Sequence, residues 1–426
     1  MDTQREPLPY LVEPAPGFGP HPAYEELREQ PPARVRMPYG QEAWLATRYT
    51  DVRTVLSDPR FSLAETAARD KPRVRQETAG SCGLFTLDPP EHTRLRRVLA
   101  RHFGARRIEQ LRERAEEIAE ELLDRIVESG SPADLVGRFA VPLSTTIAGE
   151  VLGVPREDHH RLWTWAERRL AGTATEKELR SQAEEYSSCV TGLFELRRLH
   201  PGDDVLSCLL RAHDDGVITK GEVSALAEDV LVAGFVTVAY QTAGSFYHLL
   251  VDPSRLERLR DRPELLETAV EELVRYVPLN NFILPRYALE DIELGGVLVR
   301  AGEPVLVALA SANRDPVVFA GPDDLVLDRA ACPHVGFGHG PHYCLGAPLA
   351  RLELRVALET VVRRLPGLRL AVAEEHLRWK TGGAVNGLHA LPVAFEAAGG
   401  APARERSGRQ VASADGSETG GHTNGA

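Results

Sequence analysis

The chain has 426 residues, and 62 acidic against 50 basic side chains give it a formal net charge of −12. Its composition is typical of a soluble globular protein, and a pI near 5.7 argues against non-specific binding to nucleic acid or to an anionic membrane. The N-terminal segment carries charges and prolines where a signal peptide needs an apolar run, so we expect a cytoplasmic protein with neither nucleic acid nor membrane as a partner. The cysteines are scattered and too sparse for a disulfide scaffold, and we interpret them as reduced thiols: Cys82, Cys189, Cys208, Cys332 and Cys344.

Helical periodicity dominates the first half of the chain. A strand-like run, AWLATRY, precedes the helical stretch HTRLRRVLARHF. From Ile108 to Gly130 apolar residues recur at helical spacing and a glycine ends the pattern, which predicts a long helix with one apolar face. The apolar run from Val230 to Tyr240 is too short to span a bilayer and predicts a buried core helix.

The second half follows the same plan. Two stretches have helical periodicity, SRLERLRDRPELLETAVEELVRYV and LARLELRVALETVVRRLPG, whereas the strand-like runs GVLVRAGEPVLVAL and LPVAFE are short. Strands do not alternate regularly with helices, so the pattern predicts a mainly α fold with small β-sheets and disfavours a doubly wound nucleotide fold. From about Ala397 apolar side chains almost disappear, which predicts a disordered tail.

The densest cluster of unusual chemistry is the segment CPHVGFGHGPHYCLG at residues 332–346. Its glycines do not match the dinucleotide pattern G-x-G-x-x-G, and no strand precedes them. Its cysteines and histidines lack a C-x-x-C pair, which argues against a zinc site. A third interpretation is a single axial thiolate, Cys344, placed just before a helix whose N-terminal N–H groups stabilise a metal-bound sulfur.

The segment resembles the haem-binding loop of the cytochrome P450 family, F-x-x-G-x-[RH]-x-C-x-G, which Phe337, Gly340, His342, Cys344 and Gly346 fit position by position. The resemblance extends over about Ala15 to Phe395. It implies one triangular haem domain over residues 15–396, with an N-terminal extension at 1–14 and the tail at 397–426. It also implies haem b as the cofactor, Cys344 as the axial iron ligand and Gly338 in the loop that approaches the macrocycle.

Two further groups of residues follow from the same resemblance. Glu272 and Arg275 match the family's E-x-x-R, and Arg329 in the following stretch is expected to complete a structural Glu/Arg/Arg cluster behind the haem. The haem propionates need cations, for which Arg-to-carboxylate bonds are suited. The resemblance supplies four candidates: His92, Arg96, Arg286 and His342.

The sequence departs from the family pattern on the central helix. Where the family has [AG]-G-x-[DE]-T-[TS], this chain has Ala233-Gly234-Phe235-Val236-Thr237-Val238, so the threonine is kept and the acid is replaced by Val236. A valine cannot relay a proton, so delivery must use Thr237, ordered water, Gln241 or polar groups of the substrate. Either another water route compensates, or oxygen insertion is not the main outcome, and the sequence leaves both open.

The arrangement also has some resemblance to bacterial cytochromes P450 that act on cyclic dipeptides, or diketopiperazines, some of which couple aromatic rings through C–C or C–N bonds. We therefore expect an oxidised secondary metabolite, with aromatic cyclodipeptide coupling as the main hypothesis and conventional hydroxylation or epoxidation as the alternative. Candidate pocket residues, placed by analogy with the family, are Phe235, Val236, Tyr240, Asn280, Asn281, Phe282, Ile283 and Val385.

The resemblance implies separate electron donors, since the chain has no flavin module and no nicotinamide fingerprint. The expected partners are a ferredoxin and its reductase, with O2 and a small molecule as substrates and the protein itself a monomer. A basic stretch is the candidate docking face for an acidic ferredoxin: Arg94, Arg97, Arg101, Arg106 and Arg107. A non-catalytic haem sensor is the alternative from another class.

Overall fold

The computed structural model describes residues 6–10, 19–67, 69–73, 83–171, 175–280, 284–380 and 383–396. Within these residues the fold is built mainly from α-helices, which we number in chain order: α1 (Ala23–Glu29), α2 (Tyr49–Ser57), α3 (Glu91–Ala100), α4 (Ala105–Glu109), α5 (Arg112–Ser129), α6 (Val141–Leu152), α7 (His159–Ala171), α8 (Glu176–Leu199), α9 (Val205–Asp214), α10 (Lys220–Leu250), α11 (Ser254–Asp261), α12 (Leu266–Tyr276), α13 (Leu309–Ala312) and α14 (Ala347–Arg364).

The strands are short: β1 (Leu8–Pro9), β2 (Ala33–Arg36), β3 (Ala43–Ala46), β4 (Phe61–Ser62), β5 (Ala133–Asp134), β6 (Arg286–Ala288), β7 (Ile292–Leu294), β8 (Val297–Val299), β9 (Pro304–Val307), β10 (Arg369–Leu370), β11 (Trp379–Lys380), β12 (Gly387–Leu388) and β13 (Pro392–Ala394). They form a six-stranded sheet of order β1-β2-β3-β9-β6-β4, a three-stranded sheet β10-β13-β5, and the pairs β11-β12 and β7-β8. In the large sheet β3 runs parallel to β9 with Leu45 opposite Leu306, and β6 runs antiparallel to β9 with Arg286 opposite Val305.

The predicted elements are present, with two differences at their ends. The strand in AWLATRY stops at Ala46 because α2 begins at Tyr49, whose N–H donates to the Asp315 carboxylate at 2.9 Å. The helical stretch from Ser254 divides into α11 and α12, since Pro263 has no N–H for a continuous helix. The mainly α fold with small sheets is confirmed.

The predicted long helix is α5, and its apolar face is buried. Ala115, Ile118, Leu122 and Ile126 are buried, and the chain leaves the helix at Gly130 with φ of +79°. A positive φ is strained for residues that carry a Cβ, so glycine is favoured at that stop.

The central helix α10 crosses the core and packs against α6, α7, α9 and α14. It is long and apolar enough to cross a membrane by length and composition alone, but half of its most apolar stretch is buried inside the protein. Its apolar surface is therefore accounted for by packing, as the interpretation of Val230 to Tyr240 as a core helix predicts.

The predicted N-terminal extension needs a correction. Leu8–Pro9 pair in parallel with β2, and Tyr10 is buried in a small apolar cluster with Tyr24 and Val35. These residues pack on the large sheet, so the domain begins before residue 15. The predicted tail at 397–426 lies outside the described residues.

Candidate haem site

The loop before α14 holds Cys344 by backbone hydrogen bonds. The Cys344 N–H donates to the Phe337 carbonyl at 2.8 Å, and a short 3-10 turn at Gly340–His342 lies between the two residues. Gly338 and Gly340 both have positive φ, +73° and +72°. The turn therefore depends on glycine at these two positions.

Gly340 packs against α2. A Cβ on Gly340 would lie 2.6 Å from the Leu56 carbonyl oxygen, at the end of α2, whereas a Cβ on Gly338 would approach only the His342 carbonyl at 3.7 Å. Gly340 is therefore needed for packing of the loop against α2. That Gly338 lets the backbone come close to a flat ligand stays a prediction.

The surroundings of Cys344 have opposing effects on the pKa of its thiol. Burial of the group in the protein interior raises its pKa, while the N–H groups of Gly346 and Ala347 and the guanidinium groups of Arg96 and Arg351 lower it. Burial dominates, so the helix N-terminus alone does not produce a free thiolate. An iron ion bound to the sulfur would displace the proton, because a coordinating thiol is deprotonated.

Three of the four predicted propionate ligands, His92, His342 and Arg96, lie close together beside the Cys344 loop. The rings of His92 and His342 are 4.0 Å apart between centroids, and Arg96 donates to the Tyr343 carbonyl at 2.6 Å. Burial, together with the nearby His92, Arg286 and Arg96, lowers the pKa of His342 to about 3. The cluster thus concentrates buried basic groups beside the Cys344 loop.

The fourth residue, Arg286, is only 5% exposed and makes no ion pair within the described residues. Burial lowers its pKa to about 10, and its acidic neighbour Asp88 is bound to Ser62 and to the Leu63 N–H. Among the described residues, the buried Nδ1 atom of His92 likewise has no hydrogen-bond partner. A buried arginine and histidine that lack an anion fit a ligand with carboxylates, which is what haem propionates would supply.

The Glu/Arg/Arg cluster forms as a buried network. The two carboxylate oxygens of Glu272 accept from Arg275 at 2.7 Å each, and one also accepts from Arg329 at 2.9 Å. Arg275 then donates to the carbonyls of Asn313 and Pro322. The network joins α12 to the segment before the cysteine loop, and the buried charges have their hydrogen bonds satisfied.

A second acid on α12, Glu271, was missed from the sequence. It accepts from Arg351 on α14 at 2.6 and 2.7 Å and contacts His334 at 3.1 Å, and the guanidinium of Arg351 lies 4.6 Å from the Phe337 ring. These contacts hold the cysteine loop between α12 and α14. The sequence signal for Glu271 was its place beside Glu272 in the E-E-L-V-R run. Spacing alone could not show which neighbours the Glu271 side chain contacts.

The central helix corrects part of the predicted pocket wall. Phe235 and Val236 are 0% exposed, and Tyr240 is 3% exposed with its hydroxyl bound to Glu167 at 2.5 Å. These side chains pack in the core and do not border an open pocket. Thr237 is partly exposed, and its hydroxyl donates to the Ala233 carbonyl at 2.7 Å.

The remaining pocket candidates are only partly described. Asn280 and Val385 pair in an isolated antiparallel bridge, which brings the segment after α12 beside the C-terminal hairpin as expected. Val385 is buried, and the predicted residues Asn281, Phe282 and Ile283 lie outside the described residues. A separate cavity of about 820 Å³ lies between α7, α8, α9 and the start of α10, and none of the predicted site residues lines it.

The zinc interpretation finds no support among residues the structure describes, where no group of three His, Cys, Asp or Glu side chains could hold a metal ion. His334 pairs with Glu271, His339 contacts Arg53, and His342 stacks on His92. The side chains of the segment are therefore directed to different neighbours.

A mainly α fold that holds one cysteine in a glycine-rich loop before a helix, beside a buried arginine that has no ion pair among the described residues, fits a haem-thiolate protein. The cytochrome P450 family model matches residues 175–366. The chain is 46% identical over 397 residues to mycinamicin IV hydroxylase/epoxidase of Micromonospora griseorubida, which covers 92% of this chain and 100% of that relative. It is 47% identical over 382 residues to nocardicin C N-oxygenase of Nocardia uniformis subsp. tsuyamanensis, covering 88% and 95%.

Among solved structures, the crystal structure of HinD with NMFT and NO superposes with a TM-score of 0.88 at 44% identity, covering 92% of this chain and 100% of that chain. The chain belongs to the cytochrome P450 family, as a bacterial oxidoreductase whose cofactor is haem b bound through a cysteine thiolate. Bacterial members of this type act on small molecules with O2 and receive electrons from a ferredoxin and its reductase.

Proposed function

We propose that this cytochrome P450 inserts one oxygen atom into a natural product, by hydroxylation, epoxidation or N-oxygenation. Two relatives near 46% identity carry these activities in their names, which supports oxygen insertion over the coupling hypothesis. The balanced reaction takes substrate, O2, NADPH and one proton to oxygenated substrate, water and NADP⁺. The observation in the structure that carries the proposal is the Cys344 loop beside two buried groups that have no partner among the described residues, the Arg286 guanidinium and the Nδ1 atom of His92.

Different residues of the chain would bind the iron and the propionates of the cofactor. Cys344 would bind the iron, and His92, Arg96, Arg286 and His342 would bind the propionates. When bound, the thiolate-ligated haem activates dioxygen. The Glu272 network and the Glu271–Arg351 pair hold the loop in place, so Cys344 keeps its position relative to α10.

The test begins with purified, haem-loaded protein. We expect the CO-bound ferrous form to show the thiolate-type Soret shift and Cys344→Ala to abolish it. A C344A variant that kept both haem and shift would contradict the assignment of the axial ligand.

Turnover is then measured with a surrogate ferredoxin, its reductase and NADPH on mycinamicin IV, nocardicin C and an aromatic cyclic dipeptide. A product heavier by one oxygen supports the proposal, and the absence of product from any compound favours the haem-sensor alternative. The coupling hypothesis rests on Val236 at the position of the family's acid. A dimer or heteroadduct of the cyclic dipeptide, formed without added oxygen, would favour coupling over oxygen insertion.

A further inference from the structure

The cavity of about 820 Å³ between α7, α8, α9 and the first turns of α10, here called the α8 cavity, is not part of the haem site. Protein interiors are close-packed, and a space of this size falls in the range of small-molecule sites. Residues of α8 line it at helical spacing from Leu179 to Arg198, which corresponds to a length of about 28 Å. The α8 cavity therefore suits an elongated molecule.

The α8 cavity has an aromatic and aliphatic wall. The rings of Trp165 on α7 and Tyr186 on α8 are stacked, with centroids 4.3 Å apart, and Val190 and Val223 also line the space. The Tyr186 hydroxyl donates to the Ser224 carbonyl on α10 at 3.4 Å, so it is already bound within the protein. An apolar ligand body would bury its surface against this wall, which is favourable.

One polar side chain in the wall has an unused acceptor. Gln182 on α8 lines the cavity and is only 7% exposed, and its Oε1 atom has no hydrogen-bond partner among the described residues. A buried acceptor without a donor is unfavourable. The missing donor indicates a ligand that carries a hydroxyl or N–H group at this point.

The charged groups of the α8 cavity are mainly cationic, although the chain as a whole is acidic. Two of the arginines are paired, Arg169 with Glu228 at 3.4 Å and Arg198 with Asp214 at 3.4 Å. Lys220, at the start of α10, is exposed and has no ion pair in the described part of the chain. Four cations line the cavity against two acids: Arg169, Arg180, Arg198 and Lys220 against Glu195 and Glu228. This excess of positive charge favours an acidic ligand.

The positions of Gln182 and Lys220 set the length of that ligand. The later part of α8 approaches the end of α9 through Arg198, and its earlier part contacts α10 through Tyr186 and Ser224, so α8 and α10 run in roughly opposite directions. Gln182 lies one turn before Tyr186, and Lys220 lies one turn before Ser224. The two polar groups are therefore about 11 Å apart along the helices.

We infer that the α8 cavity is a second ligand site, which binds an elongated carboxylic acid with an apolar chain and a terminal hydroxyl. The hydroxyl donates to the Gln182 Oε1 atom, the chain packs on the wall formed by Trp165 and Tyr186, and the carboxylate lies at Lys220. Such a ligand bridges α7 and α8 to α10. The inference goes beyond the proposed function and does not depend on which compound is oxidised at the Cys344 site.

The test is calorimetric titration of the haem-loaded protein with ω-hydroxydecanoate, decanoate and decanediol. We expect ω-hydroxydecanoate to bind about tenfold more tightly than decanoate, which lacks the hydroxyl donor. It should bind about threefold more tightly than decanediol, which lacks the carboxylate. The Soret band of the ferric protein should stay unchanged, because the ligand lies away from the haem.

Variants of the lining residues assign the heat to the α8 cavity. Gln182→Leu should remove the advantage of ω-hydroxydecanoate over decanoate without weakening decanoate itself. Lys220→Met should weaken both acids about threefold and leave decanediol unchanged. The matched control is Lys177→Met, an exposed lysine of α8 that does not line the cavity. Ala183→Phe, which fills the cavity from an exposed position, should abolish binding of all three compounds, and it decides the question if Gln182→Leu does not fold.

Three outcomes would overturn the inference. The first is no detectable binding of ω-hydroxydecanoate to the wild type, and the second is equal affinity in the wild type and Ala183→Phe. The third is a Soret shift with the same midpoint as the heat that Gln182→Leu leaves unchanged, which would place the acid at the haem. No turnover is measured, so failure of the oxygen-insertion proposal leaves this test intact.

Discussion

At the scale of single residues, the site is marked by basic groups that lack an opposite charge. Many arginines among the described residues are paired on the surface, whereas Arg286 is buried without an ion pair in that part of the chain. Isolated buried charge is unfavourable, so its presence indicates a ligand that supplies the anion. The Nδ1 atom of His92 is a buried polar atom without a hydrogen-bond partner among the same residues, which also favours a polar ligand.

The unpaired charge of Arg286 predicts that its replacement stabilises the apoprotein but weakens the binding of haem. Arg286→Met should stabilise the apoprotein by about 1–2 kcal/mol, because a buried unpaired charge is removed, and should speed haem loss about tenfold, because a propionate loses its partner. Urea unfolding of the apoprotein and transfer of haem to apomyoglobin measure the two effects. The control is Arg300→Met, an exposed arginine paired with Asp291. A less stable apoprotein with unchanged haem retention would mean that Arg286 serves packing alone.

At the scale of elements, α12 is the part of the fold that positions the cysteine loop. Glu272 ties it to the stretch that precedes the loop, and Glu271 ties it to α14, which follows the loop. The loop is therefore held at both of its ends by neighbouring residues of one helix. The two side chains reach different neighbours because adjacent residues of a helix are rotated by about 100°.

The Glu271–Arg351 pair, which links α12 to α14, predicts that the free energy of unfolding depends on pH. Burial alone would raise the pKa of Glu271, but the hydrogen bonds and charges of Arg351 and His334 outweigh it and hold that pKa at about 2, below its ordinary value of 4.5. The folded pKa is depressed, so the stabilisation is present above pH 4.5 and is lost as pH falls toward about 2. Between pH 4.5 and about 2, the free energy of unfolding of the wild type should fall by about 1–2 kcal/mol more than that of Glu271→Gln. This figure allows for the partial exposure of the pair.

The free energy of unfolding, measured in urea at several pH values across that range, checks the prediction. Glu267→Gln on the exposed side of α12 is the matched control and should keep the wild-type slope. Equal slopes in all three proteins would show that the Glu271–Arg351 pair contributes nothing to acid stability.

At the scale of the whole molecule, the net charge of −12 conceals a locally basic face at α3 and α4. The structure reduces the candidates on that face, because Arg94 pairs with Glu222 and Arg107 pairs with Asp203. Arg97 and Arg106 are exposed and have no ion pair among the described residues, and the exposed Arg101 donates only to the His102 ring at 3.1 Å. These three remain the candidates for contact with an acidic ferredoxin.

Charge reversal at this face should weaken electron transfer from the ferredoxin. Arg97→Glu and Arg106→Glu should each raise the KM for ferredoxin about fivefold at low ionic strength, with the difference shrinking as salt is added. Arg369→Glu, on β10 of another sheet, is the control. The assay is NADPH oxidation at varied ferredoxin concentration, and a KM independent of salt in every variant would remove this face as the docking site.

The sequence by itself determined the fold class through local periodicity, and the family resemblance of its motifs predicted the Glu272–Arg275–Arg329 cluster that the structure contains and Cys344 as the axial ligand, which stays a prediction. Only the tertiary structure decided which side of α10 is buried. Helical periodicity cannot distinguish Val236 and Tyr240, which pack on neighbouring helices, from a wall of an open pocket. It likewise could not single out Gln182 or Glu271, since a polar residue in an amphipathic helix has the same pattern whether water, an arginine or an apolar wall surrounds it. Burial and pairing arise when distant segments meet, and they set the charge state of each group.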